Sequence, residues 1–240
     1  MDIDLPVSIR RQPDYTTCGP TSLHSVYAHY ADPISLEQVI EETVKVPGGG
    51  TVGVHLALHA LRRGYDADMW VCNVRHWDPT WFQTRTDYAA KLEARAAAMG
   101  LLDDPRFGPM VRSVREYFER GGRVHWDELT PRRIGNVLKQ GFPILAGTNG
   151  TYLYQAMRET AEGTDDVRGD PFGHFVVISG YRSRDMTVCI ADPLKDNPLT
   201  GTQHYRVGVY RLIGAIYLGA SSDDANLLVI TPKGGRAARG

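Results

Sequence analysis

Cysteine is scarce in this chain, with only Cys18, Cys72 and Cys189 among 240 residues. An odd set without Cys-x-x-Cys spacing argues against a disulfide framework and against a cysteine-based zinc site, and suits a reducing compartment. A cytoplasmic address is therefore expected. An excess of one charge is also missing: 27 Lys and Arg stand against 28 Asp and Glu, a formal net charge of −1. No global field draws in nucleic acid or an anionic membrane, so neither is expected as a partner. No apolar run approaches the ~20 residues of a membrane-spanning helix. The N-terminal "MDIDLPVSIRRQPDY" lacks the basic-then-apolar order of a signal peptide. Internal repeats and low-complexity linkers are absent too, which favours a single domain over residues 1–240. The basic tail of Lys233, Arg236 and Arg239 reads as a frayed end.

What is present is an ordinary globular composition, 42% hydrophobic and 23% charged, long enough to bury a sizeable core. Leu23, Val26, Tyr27 and Tyr30 recur at helical spacing after Cys18, with Pro20 in the first turn. A second helix is expected from Ser35, with Gln38 at the capping-box position. A third follows the turn "PGGGT" and stops at Gly64. "DADMWVCNV" reads as a strand. "YAAKLEARAAAMG", "MVRSVREYFERGG" and "TPRRIGNVLKQG" read as helices, the last with Thr130 as N-cap and Pro131 at the first helical position. "FPILAGT" is a buried strand, and "GHFVVISGY", "MTVCIADP" and "NLLVITP" make the end of the chain β-rich. Helices early and strands late define an α+β fold.

One short stretch poses a chemical question. In "QPDYTTCGPTSL", Cys18 stands immediately before a helix. A thiol with a pKa near 8.5 is mostly protonated at neutral pH, and the thiolate is the nucleophile. The partial positive charge of a helix N-terminus and a nearby histidine both lower that pKa. Backbone N–H groups there also supply an oxyanion donor, and Gln12, six residues upstream, can offer its side-chain amide as a second. Among eight histidines, His174 stands out because it begins a strand whose successor ends in "IADP". With the turn at 181–185, Ile178 pairs with Val188, Val176 with Ile190, and His174 with Asp192. That register sets His174 and Asp192 on one face, ~5 Å apart at Cβ. Asp192 then orients one ring nitrogen while the other faces Cys18, the nucleophile–base–orienter logic of acyl transfer. A slip of one residue breaks the arrangement.

Taken together, "QPDYTTCGPTS", "GHFVVISGY" and "ADP" resemble the papain-like cysteine peptidases, specifically the branch of bacteriocin-processing leader peptidases and their C39-like relatives. There a Gln precedes a Cys-Gly-Pro that opens the central helix, and a His-led strand is followed by Asp-Pro. The resemblance covers residues 10–65 and 130–195. It implies a papain-like fold, with N-terminal helices packed on a mainly antiparallel sheet. It also implies Cys18 as nucleophile, His174 as general base, Asp192 as orienting residue and Gln12 as oxyanion-hole donor. Gly53 and Gly48-Gly49-Gly50-Thr51 are similar to the glycine–threonine turn that such domains carry beside the cleft. Residues 75–130, with "RHWDPTWF" and two helices, have no counterpart in the minimal leader peptidase and read as a helical insertion. No transporter segment accompanies the domain, and "GGGTVG" lacks the lysine of a phosphate-binding loop.

The expected activity is hydrolysis of a peptide or amide bond through a Cys18 thioester, with no cofactor and no metal. An acyltransferase or amide-forming enzyme would share the first half-reaction, and a silent peptide-binding module would need none of the four residues in these roles. His55 and His59 lie four apart on a helix, yet no Glu follows His55 as a zincin requires. Cys72 and Cys189 sit within apolar runs and read as core. Trp77, Asp78 and Trp81 either wall a substrate cleft or form a capped loop that packs its own aromatics. "TDDVRGD", just before His174, is a candidate lid. Nothing in the sequence sets an oligomeric state.

Overall fold

The computed structural model describes residues 2–84, 86–222 and 225–234; Arg236 and Arg239 of the basic tail lie outside the described residues. A short strand, β1 (Asp2–Asp4), leads into the three expected helices α1 (Cys18–His29), α2 (Leu36–Glu42) and α3 (Gly53–Arg62). Ser35 caps α2 by accepting from the Gln38 N–H at 3.1 Å, while the Gln38 side chain turns to Glu42 at 2.7 Å. Only half of the expected capping box forms. Gly64 ends α3 in the left-handed region at φ +88°, where a Cβ would be strained.

The strand after α3 is β2 (Asp66–Val71), and residues 75–130 hold α4 (Tyr88–Ala98), α5 (Phe107–Glu119) and an unforeseen strand, β3 (Arg123–His125). Helix α6 (Pro131–Lys139) has the expected Thr130 cap, accepting from the Arg133 N–H at 3.2 Å. Then come β4 (Ile144–Asn149), a one-turn α7 (Gly150–Tyr154), and a small hairpin of β5 (Glu159–Thr160) and β6 (Gly163–Thr164). Strands β7 (Gly173–Arg182), β8 (Thr187–Ala191) and β9 (His204–Gly208) follow. A last helix, α8 (Val209–Leu218), precedes β10 (Asn226–Thr231). Helix α8 interrupts the run of strands expected at the end. Its stripe of Val209, Leu212, Ile213 and Ile216 is buried at helical spacing, so the signal was present beneath a β-branched composition.

The main sheet runs β3-β2-β10-β4-β7-β8-β9, with β1 on the β4 side of β7 at Gly180–Arg182. Only β2–β3 is parallel; the remaining pairs of this sheet are antiparallel. Helices cover both faces, which explains why β7 and β10 read as unbroken apolar runs. Phe175 and Val177 of β7 join a core with Leu23 and Tyr27 of α1, Leu58 of α3 and Val114 of α5. Val176 and Ile178 join the other, with Ile134 and Leu138 of α6 and Leu212 and Ile216 of α8.

The β7–β8 hairpin departs from the expected register. Ile178 pairs with Ile190 and Val177 with Ala191, while nearer the turn Gly180 pairs with Cys189 and Arg182 with Thr187. The turn is residues 183–186, with Met186 in the left-handed region at φ 53°. Taken alone, this shift of the turn moves the pairing by three residues, an odd slip that sends Asp192 to the wrong face. A β-bulge at Ser179 takes one residue back. The net slip is two, so Asp192 keeps the face of His174 but meets it diagonally rather than directly across. At the bulge, a Cβ on Gly180 would lie 2.6 Å from the Ile3 carbonyl and 2.8 Å from Cys189 Sγ, so the close approach of β1 requires glycine there.

Candidate active site

The site forms at the end of the sheet where α1 begins and β7 starts. The Ser22 hydroxyl, in the first turns of α1, donates to the Phe175 carbonyl at 3.1 Å and fixes the helix against β7 next to His174. Gly19 permits this seating, because a Cβ there would lie 2.6 Å from Thr51 Cγ2. Cys18 is half-buried against the α1 side of the sheet. His174 shares the opposite face with Val176 and Ile178, and its ring, beside Tyr154 at 5.8 Å between centroids, reaches the end of the sheet. There it lies near enough to Cys18 for each group to shift the other. The His174 Nε2 meets Asp192 Oδ1 at 2.9 Å, which leaves Nδ1 as the nitrogen for the thiol.

Asp192 is fully buried, and every contact it makes favours the carboxylate. Oδ1 also accepts the Leu194 N–H at 2.8 Å. Oδ2 accepts two phenol hydrogens, from Tyr154 at 2.7 Å and Tyr205 at 2.6 Å. A buried anion held by that many donors needs no solvent. The two tyrosines escaped sequence reasoning. Tyr205 pairs with Ile190 on β9 and shares its buried alternation with Val207, a visible signal; Tyr154 lies in no motif.

Gln12 stands where the chain passes Asp192, its backbone N–H donating to the Pro193 carbonyl at 3.0 Å. Its side-chain Nε2 donates to the Asp14 carbonyl at 2.8 Å, leaving one further hydrogen on that nitrogen. Its Oε1 is buried without a hydrogen-bond partner among the described residues.

The electrostatics of the pair are reciprocal. Burial works to raise the Cys18 thiol, but the hydrogen bond and charge of His174 and the N–H groups of Phe175 and Gly19 outweigh it and hold the thiol low. Burial works to lower His174, but the Asp192 charge and hydrogen bond, together with Cys18, lift it to about 10. Burial also pushes Asp192 upward, and His174, Tyr205 and Tyr154 together carry it below the usual carboxylate range. Both tyrosines are raised, first by burial and then by Asp192, so they remain donors. Both shifts run in the direction that favours a thiolate beside an imidazolium. The other thiols go the opposite way: burial pushes Cys72 up to about 12 and raises Cys189.

Cys18 opens onto a cleft of about 310 Å³ lined by Thr16, Gly48, Gly49, Gly50, Phe172 and Gly173. The three glycines of the turn all have positive φ, and a Cβ on Gly49 would lie 2.6 Å from Thr16 Cγ2, so this wall of backbone requires glycine. Beyond the cleft, the segment read as a lid is tied down. Glu159 and Asp170 exchange two backbone hydrogen bonds of 3.0 and 2.8 Å, and Asp165 accepts the Val167 and Arg168 N–H groups. Tyr15 hydrogen-bonds Glu159 across the gap.

The remaining candidates resolve into packing. Asp78 accepts from the Thr80 backbone and hydroxyl, while Trp77 is buried against Phe82, so this is a capped loop with packed aromatics. His55 Nδ1 faces the Val44 carbonyl, and His59 lies between the Tyr27 hydroxyl and Glu42. No cluster of three metal-ligating side chains occurs among the described residues, and no helix among them is long and apolar enough to cross a membrane.

Helices on a largely antiparallel sheet, with a cysteine at a helix entrance beside a His-led strand, define the papain-like fold. A protein from Bacillus anthracis assigned as a C39-like peptidase has this fold, at 14% identity over 99% of this chain and 100% of that one, with a TM-score of 0.50. A double glycine motif protease from an AMS/PCAT transporter, solved with its leader peptide, is similar at 15% identity, covering 96% of this chain and 94% of that one (TM-score 0.45). Xylellain, a cysteine protease from Xylella fastidiosa, is similar at 14% identity, covering 96% and 85% (TM-score 0.42). No curated protein matches the chain in sequence. The profile of the Peptidase_C39 like family matches residues 105–216, and the fold is the one these peptidases share. The match includes His174 and Asp192, begins within the segment read as an insertion, and does not extend to Cys18 or Gln12.

Proposed function

We propose that the chain is a cysteine peptidase that cleaves a peptide or amide bond through a thioester on Cys18. The observation that carries this reading is the line Cys18–His174–Asp192, in which the thiol is shifted down and the imidazole up while the sulfur faces an open cleft. The Cys18 thiolate attacks the carbonyl carbon, forming a C–S bond and an oxyanion. The Cys18 backbone N–H and the remaining Gln12 amide hydrogen are the donors assigned to that oxyanion. The His174 imidazolium gives its Nδ1 proton to the leaving nitrogen as the C–N bond breaks. Neutral His174 then takes a proton from water, whose oxygen attacks the thioester. The C–S bond breaks, releasing the acid and restoring the thiolate–imidazolium pair. Asp192 stays ionised throughout and stabilises the imidazolium.

The test is to incubate the protein and its Cys18→Ala variant with a proteome-derived peptide library and read new termini by mass spectrometry. Cleavage is expected with the wild type alone. New termini from both proteins, or from neither, would sink the reading. A free amine added to the same mixture asks whether water is the acceptor: an amide product in place of the acid would move the assignment to acyl transfer.

A further inference from the structure

We propose that the segment 75–130 supplies this peptidase with a subsite for an acidic side chain of its substrate, continuous with the Cys18 cleft. The inference rests on the peptidase reading. A second cavity, of about 340 Å³, shares Val46 and Arg106 with the cleft that holds Cys18. Its floor is apolar, with Phe107 set edge-on to His76 at 5.0 Å and Met110 beside them. Its rim carries three guanidiniums from three separate places: Arg75 in the turn after β2, Arg95 on α4 and Arg106 at the entrance of α5.

Those arginines are not spent on the fold's own ion pairs. None has a carboxylate within ion-pair distance among the described residues, whereas Arg62, Arg63, Arg115 and Arg123 each do. Arg95 is held in place by donating its Nε–H to the Arg75 carbonyl at 2.8 Å. Among the described residues one carboxylate lines the cavity, that of Asp104, and its Oδ1 accepts the Arg106 and Phe107 backbone N–H groups at 2.9 and 2.7 Å. Three positive groups over one negative, above an apolar floor, suit a planar anion on an aliphatic stem. Guanidiniums bind carboxylates in a bidentate fork, and the stem covers the floor. A glutamate or aspartate a few residues from the scissile bond has that chemistry.

The test uses iodoacetyl peptides that alkylate Cys18 rather than being cleaved, so it does not depend on turnover. Pairs differing only in Glu-Glu against Gln-Gln, with the electrophile at either end, are compared by intact mass. In the wild type the Glu peptide of at least one pair is expected to react about tenfold faster than its Gln twin. In the double variant Arg75→Gln, Arg106→Gln that ratio is expected to fall to about one, each twin serving as reference within the same protein. Equal rates for every pair in the wild type, a ratio that survives the double substitution, or no reaction with any peptide while iodoacetamide still reacts would each overturn the subsite. A ratio that behaves as expected in a protein that cleaves nothing would keep the anion subsite and discard the peptidase.

Discussion

Two buried aspartates in this molecule each hold a histidine, and only one of them lies at the candidate active site. Asp192 binds His174 at 2.9 Å and two tyrosines. Asp68, on β2, binds His125 at 2.6 Å and takes both Nε and Nη2 of Arg123 at 2.7 and 2.5 Å. Both carboxyls are carried below the usual range against the upward pull of burial. The difference lies in what the rest of the imidazole meets. His125 stacks on Trp70 at 4.4 Å between centroids, and no nucleophile hydrogen-bonds it among the described residues. His174 has the Cys18 thiol as a neighbour and an open cleft beyond. A buried His–Asp pair is thus a general way to satisfy a carboxylate; it becomes machinery only when a nucleophile completes the line. Neutralisation also differs: a cation offsets Asp68 outright, whereas among the described residues Asp192 has only His174 as a charge partner and relies on phenols for the rest. That arrangement favours the charged form of the imidazole.

The largest expected effects separate these roles. His174→Ala should lower kcat on any peptide found to be a substrate by about 10³-fold, the range for loss of a positioned acid–base group, and should lower the unfolding midpoint as well, because the buried Asp192 loses its charge partner. Asp68→Asn should cost stability alone. It leaves the Arg123 charge without its partner, so stability falls by about 3 kcal/mol in a denaturant titration while turnover per folded molecule holds. If Asp68→Asn abolished turnover without unfolding the protein, or His174→Ala left turnover intact, the division of roles would collapse.

Acid sharpens the comparison next. The Asp68 carboxyl is depressed in the folded protein, so its contribution to stability is present above the ordinary carboxylate range and is lost as pH falls through its lower folded value. The gap between wild type and Asp68→Asn should therefore close with acidification, as followed by thermal unfolding. The Cys18–His174 pair has a different profile. Peptide cleavage needs thiolate and imidazolium together, so activity should rise in acid as Cys18 loses its proton, below the range of an ordinary thiol. It should fall only as His174 deprotonates near 10. Alkylation of Cys18 by iodoacetamide should share the acid limb without the alkaline fall. In His174→Gln that limb should move up toward an ordinary thiol; an unmoved limb would assign the low pKa to the helix entrance alone.

Much of this arrangement was legible in the residues, and the exceptions have physical causes. Local signals were sufficient where a helix is amphipathic and capped, as at Thr130 before α6, and where glycine ends it, as at Gly64. They also placed Cys18 at a helix entrance and His174 at a strand start. Tertiary geometry was another matter. A β-bulge depends on the neighbouring strand, here on β1 pressing against Gly180, and no pattern within β7 announces it. The face shared by His174 and Asp192 came out as expected although the register did not, because a displaced turn and a bulge left an even slip. The phenols on Asp192 come from α7 and β9, distant in sequence, and only the fold brings them to one oxygen. Helix α8 is the reverse case, a stripe that was there to be read and was masked by β-branched residues.

The smallest predicted effect bears on those phenols. Tyr205→Phe removes one of four hydrogen bonds to Asp192 and leaves the ring in place, a loss of about 1–2 kcal/mol for a bond to a charged group. The sign follows from the carboxylate. With one donor fewer, Asp192 is easier to protonate, so His174 loses part of its counter-charge at mildly acidic pH first. The acid limb of the activity profile should move upward in pH by a fraction of a unit while the plateau drops by a few-fold at most. Tyr154→Phe should behave alike, and the double variant should exceed the product of the two, since both phenols share Oδ2. A double variant with an unshifted acid limb would mean that the phenols serve packing alone, and that His174 by itself keeps Asp192 ionised.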